Sequence, residues 1–170
     1  MSGETLSPSP EARQAIADVI AVGLWALDTR DLELYLGTYW ADAVFSEVAP
    51  DGVHHEWRGI DDIRAVSAAR TGGPTGRQHR LSNQLYTPLP PASTAPGPAA
   101  REGWTVWAYW MTTVRHPATG EAVFEMSGYL RDEVECRSGE WRLIGRHLDA
   151  WPPGLAHPLR EAAARAEDVV

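Results

Sequence analysis

The first half of the chain carries the 3.6-residue repeat of apolar positions that is typical of amphipathic helices. Between residues 9 and 31, Ile16 and Ile20 recur with other apolar residues at helical spacing and mark one buried face. Ser9 precedes Pro10 at the start of this repeat, which is the usual order of an N-cap and the first helical residue. The pattern therefore predicts a helix that begins at Pro10.

Two further helices and two short strands are predicted before the glycines of TGGPTG. Asp31 can cap a second helix over residues 32–40, and residues 59–70 predict a third helix that ends at those glycines. The segments AVFSEV and VHHEWR, residues 43–48 and 53–58, flank the turn residues PDG. Their length and composition favour a pair of strands.

The second half of the chain alternates between apolar and polar residues with the two-residue period of β-strands. The predicted strands cover residues 77–87, 103–115, 121–136 and 140–151. The connections PATG and RSG are short, so the last three strands should pair antiparallel with their neighbours. Residues 88–102 are rich in proline and alanine and lack periodicity, which predicts a mobile loop.

This order of elements, with helices first and long antiparallel strands afterwards, predicts the α+β class. We expect three helices packed on one face of a strongly curved antiparallel sheet, with a conical space left between them. The chain length suits one domain, which we place at residues 9–151. Residues 1–8 are expected to be disordered, and residues 152–170 form a tail without a motif.

The strand predicted for residues 77–87 carries an imidazole and an amide four residues apart. His79 and Asn83 share parity with Leu81 and Leu85, so alternation places all four side chains on the apolar face. A titratable ring on a buried face suits proton transfer near neutral pH. A core histidine bonded to the backbone would give the same pattern.

Asp28 lies at the end of the first predicted helix, where a carboxylate opposes the helix dipole. Asp31 is the better cap for the next helix, so Asp28 is free for another role, unless it simply faces solvent. A carboxylate beside His79 would orient the ring, fix its tautomer and favour its protonated form. The two residues are therefore a candidate general acid–base pair.

Several other polar and aromatic residues could line a substrate cavity. Eight tryptophans in 170 residues indicate either a core of large rings or an aromatic-walled pocket. Tyrosine hydroxyls could bind a substrate carbonyl, although tyrosines also fill ordinary cores. The parity that His147 shares with Leu143 would turn its ring towards the same cavity. The candidates for substrate binding are Asn83, Tyr39, Tyr109, Trp110, His116, Tyr129, His147 and Trp25.

The composition argues against several functional classes. The formal net charge of −8 argues against nucleic-acid binding, the lack of lysine excludes Schiff-base chemistry, and the single cysteine excludes an intrachain disulfide. The sequence shows no metal-ligand spacing, no glycine-rich phosphate loop and no serine nucleophile elbow. It also shows no signal-peptide pattern and no apolar run of membrane length, so we expect a cytoplasmic protein without a membrane partner.

Four segments, taken in their order, carry a family resemblance. LDTRDLELYLGTYWADAVFSE, WRGIDDIRA, RQHRLSN and GEWRLIGRHLD resemble the SnoaL-like branch of the nuclear-transport-factor-2-like superfamily, over about residues 10–151. The resemblance implies a cone-shaped α+β barrel that encloses a pocket. It also implies that Asp28 and His79 match the catalytic pair of scytalone dehydratases, that His116 lies near a second pocket histidine, and that no metal or organic cofactor is used.

These observations lead to one leading hypothesis and two alternatives. The leading hypothesis is a cofactor-independent dehydratase or cyclase that acts on a small apolar, cyclic or polyketide-like substrate. The segment TGRQHRLSN also resembles β subunits of ring-hydroxylating dioxygenases, so a non-catalytic ligand-binding or partner subunit is the first alternative. Epoxide hydrolysis, with a water held by a carboxylate and an amide, is the second. The open sheet favours a homodimer or homotrimer.

Overall fold

The computed structural model describes residues 7–49, 51–71, 76–89 and 102–150. Its three helices are α1 (Pro10–Thr29), α2 (Leu32–Gly37) and α3 (Ile60–Thr71). Its six strands are β1 (Tyr39–Val48), β2 (His54–Arg58), β3 (Gln78–Pro88), β4 (Gly103–Arg115), β5 (Ala122–Arg137) and β6 (Glu140–Asp149). The predicted α+β class is confirmed.

All six strands form one sheet in the order β2-β1-β6-β5-β4-β3. As predicted, β4, β5 and β6 pair antiparallel with their sequence neighbours. The sheet is only mostly antiparallel, because β1 pairs with β6 in parallel. A parallel pair needs a long connection, and here α3 and four strands lie between its two members along the chain. The sheet stays open, with β2 and β3 as its edges.

Helix α1 begins and ends where its local sequence directs. The Ser9 hydroxyl accepts the amide hydrogen of Ala12 at 3.1 Å, as a helix N-cap does. The helix ends at Arg30, whose left-handed conformation (φ 63°) returns its amide to the last turn. A Cβ at Gly23 would lie 3.3 Å from the Thr38 hydroxyl, so α1 packs closely against the junction of α2 and β1.

Helix α2 is shorter than the sequence predicts. The predicted helix runs to residue 40, whereas α2 ends at Gly37 and β1 begins at Tyr39. Between them, the Thr38 hydroxyl donates to the Tyr35 carbonyl at 2.7 Å, and the Thr38 carbonyl accepts the Leu143 amide hydrogen at 2.8 Å. The pairing with β6 therefore converts the end of the predicted helix into the start of a strand.

The hydrophobic core lies between the helices and one face of the sheet. Ile16, Ile20 and Ile63 of the helices are fully buried together with Val106 and Leu143 of the sheet. Burial of one such side chain contributes roughly 1.5–3 kcal/mol to folding. This packing holds the helices against the sheet and leaves a cavity at one end of the core.

Several sequence predictions fall outside the described residues. The disordered start (apart from residues 7 and 8), the centre of the proline- and alanine-rich loop at 90–101, the end of the last strand at residue 151 and the tail at 152–170 therefore stay predictions. Within the described ranges, none of the helices has the length and apolar character needed to cross a bilayer.

Candidate active site

The end of α1 and the start of β3 bring Asp28 and His79 together, although 51 positions separate them along the chain. The Asp28 Oδ1 atom lies 2.6 Å from the His79 ring nitrogen Nδ1. The His79 backbone amide also donates to both carboxylate oxygens, at 3.1 and 3.2 Å. The side chains are 19% and 22% exposed, so both are shielded but reachable.

This contact sets the tautomer of the neutral imidazole, that is, which ring nitrogen carries the hydrogen. A carboxylate can only accept a hydrogen bond, so the Nδ1 atom of His79 carries the proton that Asp28 binds. The other ring nitrogen, Nε2, makes no hydrogen bond with the rest of the described chain. In this tautomer Nε2 is an acceptor, which is the form of histidine that serves as a general base.

Asp28 and His79 open onto a cavity of about 340 Å³ between the helices and the sheet. Much of its wall is apolar and comes from α1 and the sheet, including Leu24, Leu27, Phe45, Leu81, Trp110 and Leu130. A small apolar molecule fits such a space, with a few polar groups to fix its orientation.

Two ion pairs border the cavity near solvent. The Arg77 and Glu125 side chains form a bidentate pair, and Arg70 forms another with Glu47 at 2.6 and 2.9 Å. The Arg77 guanidinium holds the pKa of the Glu125 carboxyl below its usual range, and burial partly opposes this effect. Glu125 is therefore ionised at neutral pH and is a poor proton donor there.

A third ion pair lies at the buried end of the cavity, between Arg146 and Asp132. Two hydrogen bonds of 2.7 Å join the guanidinium to the carboxylate. Next to this pair, the Tyr35 and Tyr39 hydroxyls are 2.6 Å apart. Arg146 and Tyr35 reach the cavity wall.

The sequence interpretation missed these arginine–carboxylate pairs. One signal was available for the third pair, because Asp132 alternates with Leu130 and Val134 on a strand. A lone carboxylate at a buried position needs a cationic partner. The interpretation also missed Thr112, a buried residue directly opposite His79 on β4.

The predicted shared face of His79 and Asn83 is wrong. Asn83 has a left-handed backbone (φ 55°) at an irregularity in the pairing of β3 with β4, between Ser82 and Leu85. Such a bulge adds a residue and reverses the alternation beyond it. His79 and Leu81 therefore line the cavity, whereas Asn83 is exposed and does not.

The predicted position of His147 in the cavity is also wrong. The pairing of β5 with β6 is irregular between Glu133 and Val134, and Arg146 rather than His147 reaches the cavity. On the opposite face of the sheet, the His147 Nδ1 atom lies 3.0 Å from the Ser46 hydroxyl. Burial lowers the pKa of the His147 ring below its ordinary value, and Arg131 adds to the effect.

Two predicted tyrosines lie on that opposite face as well. Tyr129 packs against the Trp107 ring at a centroid distance of 5.6 Å, and Tyr109 is 42% exposed. Strand alternation explains both positions, because their sequence neighbours Leu130 and Trp110 line the cavity. Neither tyrosine can bind a molecule inside the cavity.

Of the remaining candidates, Trp110 and Tyr39 lie at or behind the cavity wall. The Trp110 ring lines the cavity, and its Nε1–H donates to the Tyr129 carbonyl at 3.1 Å. Tyr39 is 2% exposed and lies behind two cavity-lining residues, Tyr35, whose hydroxyl it contacts, and Arg146, which lies over its ring. Tyr39 therefore does not line the cavity, contrary to the sequence prediction.

His116 and Trp25 lie outside the cavity, contrary to the sequence prediction. His116 follows the last residue of β4 in an exposed turn, where its Nδ1 atom accepts the Thr119 amide hydrogen at 3.3 Å. Trp25 is 69% exposed, because it lies just off the buried face of α1 and borders an open groove between α1 and β3.

Within the described ranges, no three His, Cys, Asp or Glu side chains are close enough together to hold a metal ion. The polar side chains that line the cavity include the Asp28–His79 pair at one wall and members of the arginine–carboxylate pairs elsewhere, together with Arg30, Tyr35, Ser67 and Thr112. This arrangement can accept a proton at the His79 ring and can bind a polar atom of a ligand.

Comparison with known protein families shows the family to which this chain belongs. Residues 8–147, most of the chain, match the family described as SnoaL-like domain. The chain belongs to the SnoaL-like family. No curated protein matches the sequence of this SnoaL-like chain.

Solved structures share the same architecture at low sequence identity. ActVI-ORFA from Streptomyces coelicolor is 18% identical, with a TM-score of 0.64 and coverage of 80% of this chain and 94% of that one. A putative scytalone dehydratase from Novosphingobium aromaticivorans is 18% identical, with a TM-score of 0.63 and coverage of 85% and 95%. The β subunit of a putative aromatic-ring-hydroxylating dioxygenase from the same organism is 17% identical, with a TM-score of 0.64 and coverage of 88% and 95%. At these identities the likeness establishes the fold alone.

Proposed function

We propose that this SnoaL-like protein is an acid–base enzyme, a dehydratase or an intramolecular cyclase, whose catalytic residues are His79 and Asp28. The observation that carries the proposal is the 2.6 Å contact between the Asp28 carboxylate and the His79 ring at the wall of an apolar cavity. A solved structure of the same fold named as a putative scytalone dehydratase adds support for a lyase.

The reaction begins with proton transfer to His79. Its Nε2 atom removes a proton from a substrate carbon next to a carbonyl, and the electron pair of the broken C–H bond forms an enolate. Asp28 stabilises the imidazolium that results and keeps the ring oriented. These steps need no metal or organic cofactor.

The two candidate reactions differ in the fate of the enolate. In a dehydration, the enolate expels a β-hydroxyl group, which takes the proton from His79 and leaves as water. In a cyclisation, the enolate carbon attacks a second carbonyl of the same molecule, and the new alkoxide takes that proton. Both reactions return His79 to its neutral state.

The substrate class follows from the cavity wall. Leucine side chains and the Trp110 ring supply apolar contacts, and the volume of about 340 Å³ suits a small ring system. We therefore propose a cyclic or polyketide-like ketone as the substrate. Exclusion of water by the same side chains would protect the enolate from non-productive protonation.

Turnover of a panel of cyclic β-hydroxyketones tests this proposal, with loss of water followed by absorbance of the conjugated enone. A general base contributes about 10²–10⁴ in rate, so His79→Ala should lower turnover by that factor. The exposed His55 is the matched control, and His55→Ala should keep the wild-type rate. Equal turnover in His79→Ala and the wild-type protein would rule out the proposed base.

A non-catalytic partner subunit is the second candidate, and its support is the shared fold with a putative dioxygenase β subunit. This second candidate predicts that the protein co-purifies with a larger subunit. It also predicts that Asp28→Asn has no effect on any activity. The epoxide-hydrolase alternative has less support, since Asn83, the amide it would use, is exposed.

We also propose that the chain forms a homodimer or homotrimer. The helices cover the cavity side of the sheet, and the opposite face exposes Tyr109 and Met111 by 42% and 39%. Exposed large side chains on a sheet are typical of an interface. Native mass spectrometry should therefore give two or three times the chain mass, whereas a monomer at micromolar concentration would contradict this proposal.

A further inference from the structure

At the buried end of the cavity lies an ion pair whose arginine uses only two of its three guanidinium nitrogens to bind the carboxylate. Arg146 is 3% exposed and Asp132 is fully buried. The Nε and Nη2 atoms of Arg146 donate to the two oxygens of Asp132, each at 2.7 Å. The third nitrogen, Nη1, makes no hydrogen bond with any described residue, and Arg146 lines the cavity.

A phenol lies beside this guanidinium. Tyr35 is 4% exposed, lines the cavity, and has its hydroxyl 2.6 Å from that of Tyr39. Burial raises the pKa of the Tyr39 phenol well above its ordinary value, so Tyr39 keeps its proton. When Tyr39 donates to the Tyr35 oxygen, the Tyr35 proton is left for a group in the cavity.

The stability of the fold does not by itself explain why an arginine–carboxylate pair is buried at this position. A buried ion pair contributes little more to stability than apolar side chains of the same volume. Here the ion pair fixes an N–H group that has no partner in the described residues. The nearby Tyr35 hydroxyl can donate in the same buried site when Tyr39 is the donor of their shared hydrogen bond. Donors fixed in this way bind a negatively charged oxygen without reorganising.

We propose that Arg146 Nη1 and the Tyr35 hydroxyl form a binding site for an anionic oxygen of the cavity ligand, such as a carboxylate, phenolate or enolate. The proposal rests on the proposed function and narrows its substrate class to apolar ring compounds that carry such an oxygen. In the proposed reaction, the enolate oxygen is the atom that gains negative charge.

The other cavity arginines, Arg30, Arg70 and Arg77, are less suited to this role because all three are more exposed than Arg146. Arg70 and Arg77 each form a bidentate pair with a glutamate, and their side chains are 45% and 31% exposed. Solvent screens a charge at such exposure and weakens its attraction for an anion. Of the four, Arg146 alone is buried and also has a guanidinium nitrogen, Nη1, without a hydrogen-bond partner in the described residues.

Calorimetric titration at pH 7.5 with 2-naphthoate and its neutral isostere 2-naphthamide tests the proposal. The wild-type protein should bind the carboxylate at least tenfold more tightly than the amide. Tyr35→Phe should reduce that preference several-fold, and the double variant Asp132→Leu/Arg146→Met should abolish it. The double variant Glu47→Gln/Arg70→Gln, which removes an ion pair at the rim, should keep the preference.

Three results would overturn the proposal: equal affinities for the two ligands in the wild-type protein, no binding of 2-naphthoate, or an unchanged preference in a folded Asp132→Leu/Arg146→Met variant. If that variant does not fold, Tyr35→Phe decides, with Tyr86→Phe as the control for loss of a hydroxyl outside the cavity. An unchanged preference in Tyr35→Phe then overturns it.

The binding assay separates this proposal from the proposed reaction. His79→Gln should retain the preference for the carboxylate, because His79 is not part of the anion site. A lost preference with normal turnover would reject the anion site alone. A normal preference with turnover that does not depend on His79 would reject the acid–base mechanism alone.

Discussion

Asp28 destabilises the helix α1 to which it belongs, but contacts with β3 compensate for this cost. A carboxylate in the last turn of α1 meets the negative end of the helix dipole, at a cost of roughly 0.3–1 kcal/mol. Hydrogen bonds to a charged group contribute about 1.5–3 kcal/mol each, and Asp28 accepts them from both the ring and the backbone of His79. The tertiary contacts therefore outweigh the dipole, and they fix the carboxylate where the imidazole needs it.

His147 should make stability depend on pH. Burial lowers the pKa of its ring in the folded protein, so below the ordinary value of about 6.5 the unfolded chain binds the proton more readily. The contribution of the neutral ring is complete above pH 6.5 and is lost as the pH falls towards the folded pKa. Urea unfolding at pH 7 and pH 5 should show a smaller decrease for His147→Asn than for the wild-type protein.

The comparison isolates one ring, because the other histidines are the same in both proteins. Asparagine can still bond to Ser46, whose hydroxyl contacts His147 in the native fold. An equal decrease in the two proteins would show that the His147 ring is not shielded in the folded state.

At the scale of the element, a bulge in β3 determines which of its side chains face the cavity. Asn83 adopts φ 55°, and the strand turns His79 and Leu81 to the cavity before the bulge reverses its alternation. Asparagine tolerates this conformation better than other residues with a side chain, and β-branched residues tolerate it worst. The bulge therefore sets which residues of β3 reach the cavity.

Substitution of Asn83 should follow backbone strain. Asn83→Val should destabilise the fold by about 1–2 kcal/mol, the cost of a left-handed conformation for such a residue. Asn83→Gly should change stability by less than about 0.5 kcal/mol, because glycine adopts this conformation without a steric penalty. Urea unfolding measures both, and equal stabilities of the two variants would contradict the role assigned to the backbone.

The sequence predicted the elements of the fold better than the faces of its strands. The start of α1 at Pro10 and the positions of the long strands could be predicted from periodicity. The pairing of Asp28 with His79 could be predicted from the position of Asp28 at a helix end and from the family resemblance. Alternation fails wherever a strand bulges, since one extra residue reverses every later position. Asn83 and His147 were misplaced for this reason.

The buried charges were hidden from the sequence for a different reason. The partners Asp132 and Arg146 lie on separate strands, and only the register of β5 against β6 brings them into contact. Arg77 and Glu125 are likewise 48 positions apart. A single sequence gives strand order and register poorly, so such pairs appear only once the sheet is assembled.

At the scale of the whole molecule, the Asp132–Arg146 pair should dominate the effect of charge on stability. Removal of one partner leaves the other buried and unpaired, which costs about 3–5 kcal/mol. Asp132→Leu alone should therefore destabilise the fold by that amount, and Asp132→Leu/Arg146→Met should recover most of it. Thermal and urea unfolding test this, and additive losses in the double variant would contradict the coupling.

The active site exists only in the assembled domain, because α1 supplies the carboxylate, the sheet supplies the base, and helices and sheet together form the cavity wall. The central claim is that the joined pair transfers a proton. Deuterium exchange at the α-carbon of 1-tetralone in D₂O, followed by NMR, measures this step without knowledge of the natural substrate. The wild-type protein and the control His55→Gln should accelerate the exchange equally. His79→Gln should lower the enzymatic rate by about 10² or more, and Asp28→Asn should lower it as well. Exchange in His79→Gln at the wild-type rate would contradict the claim.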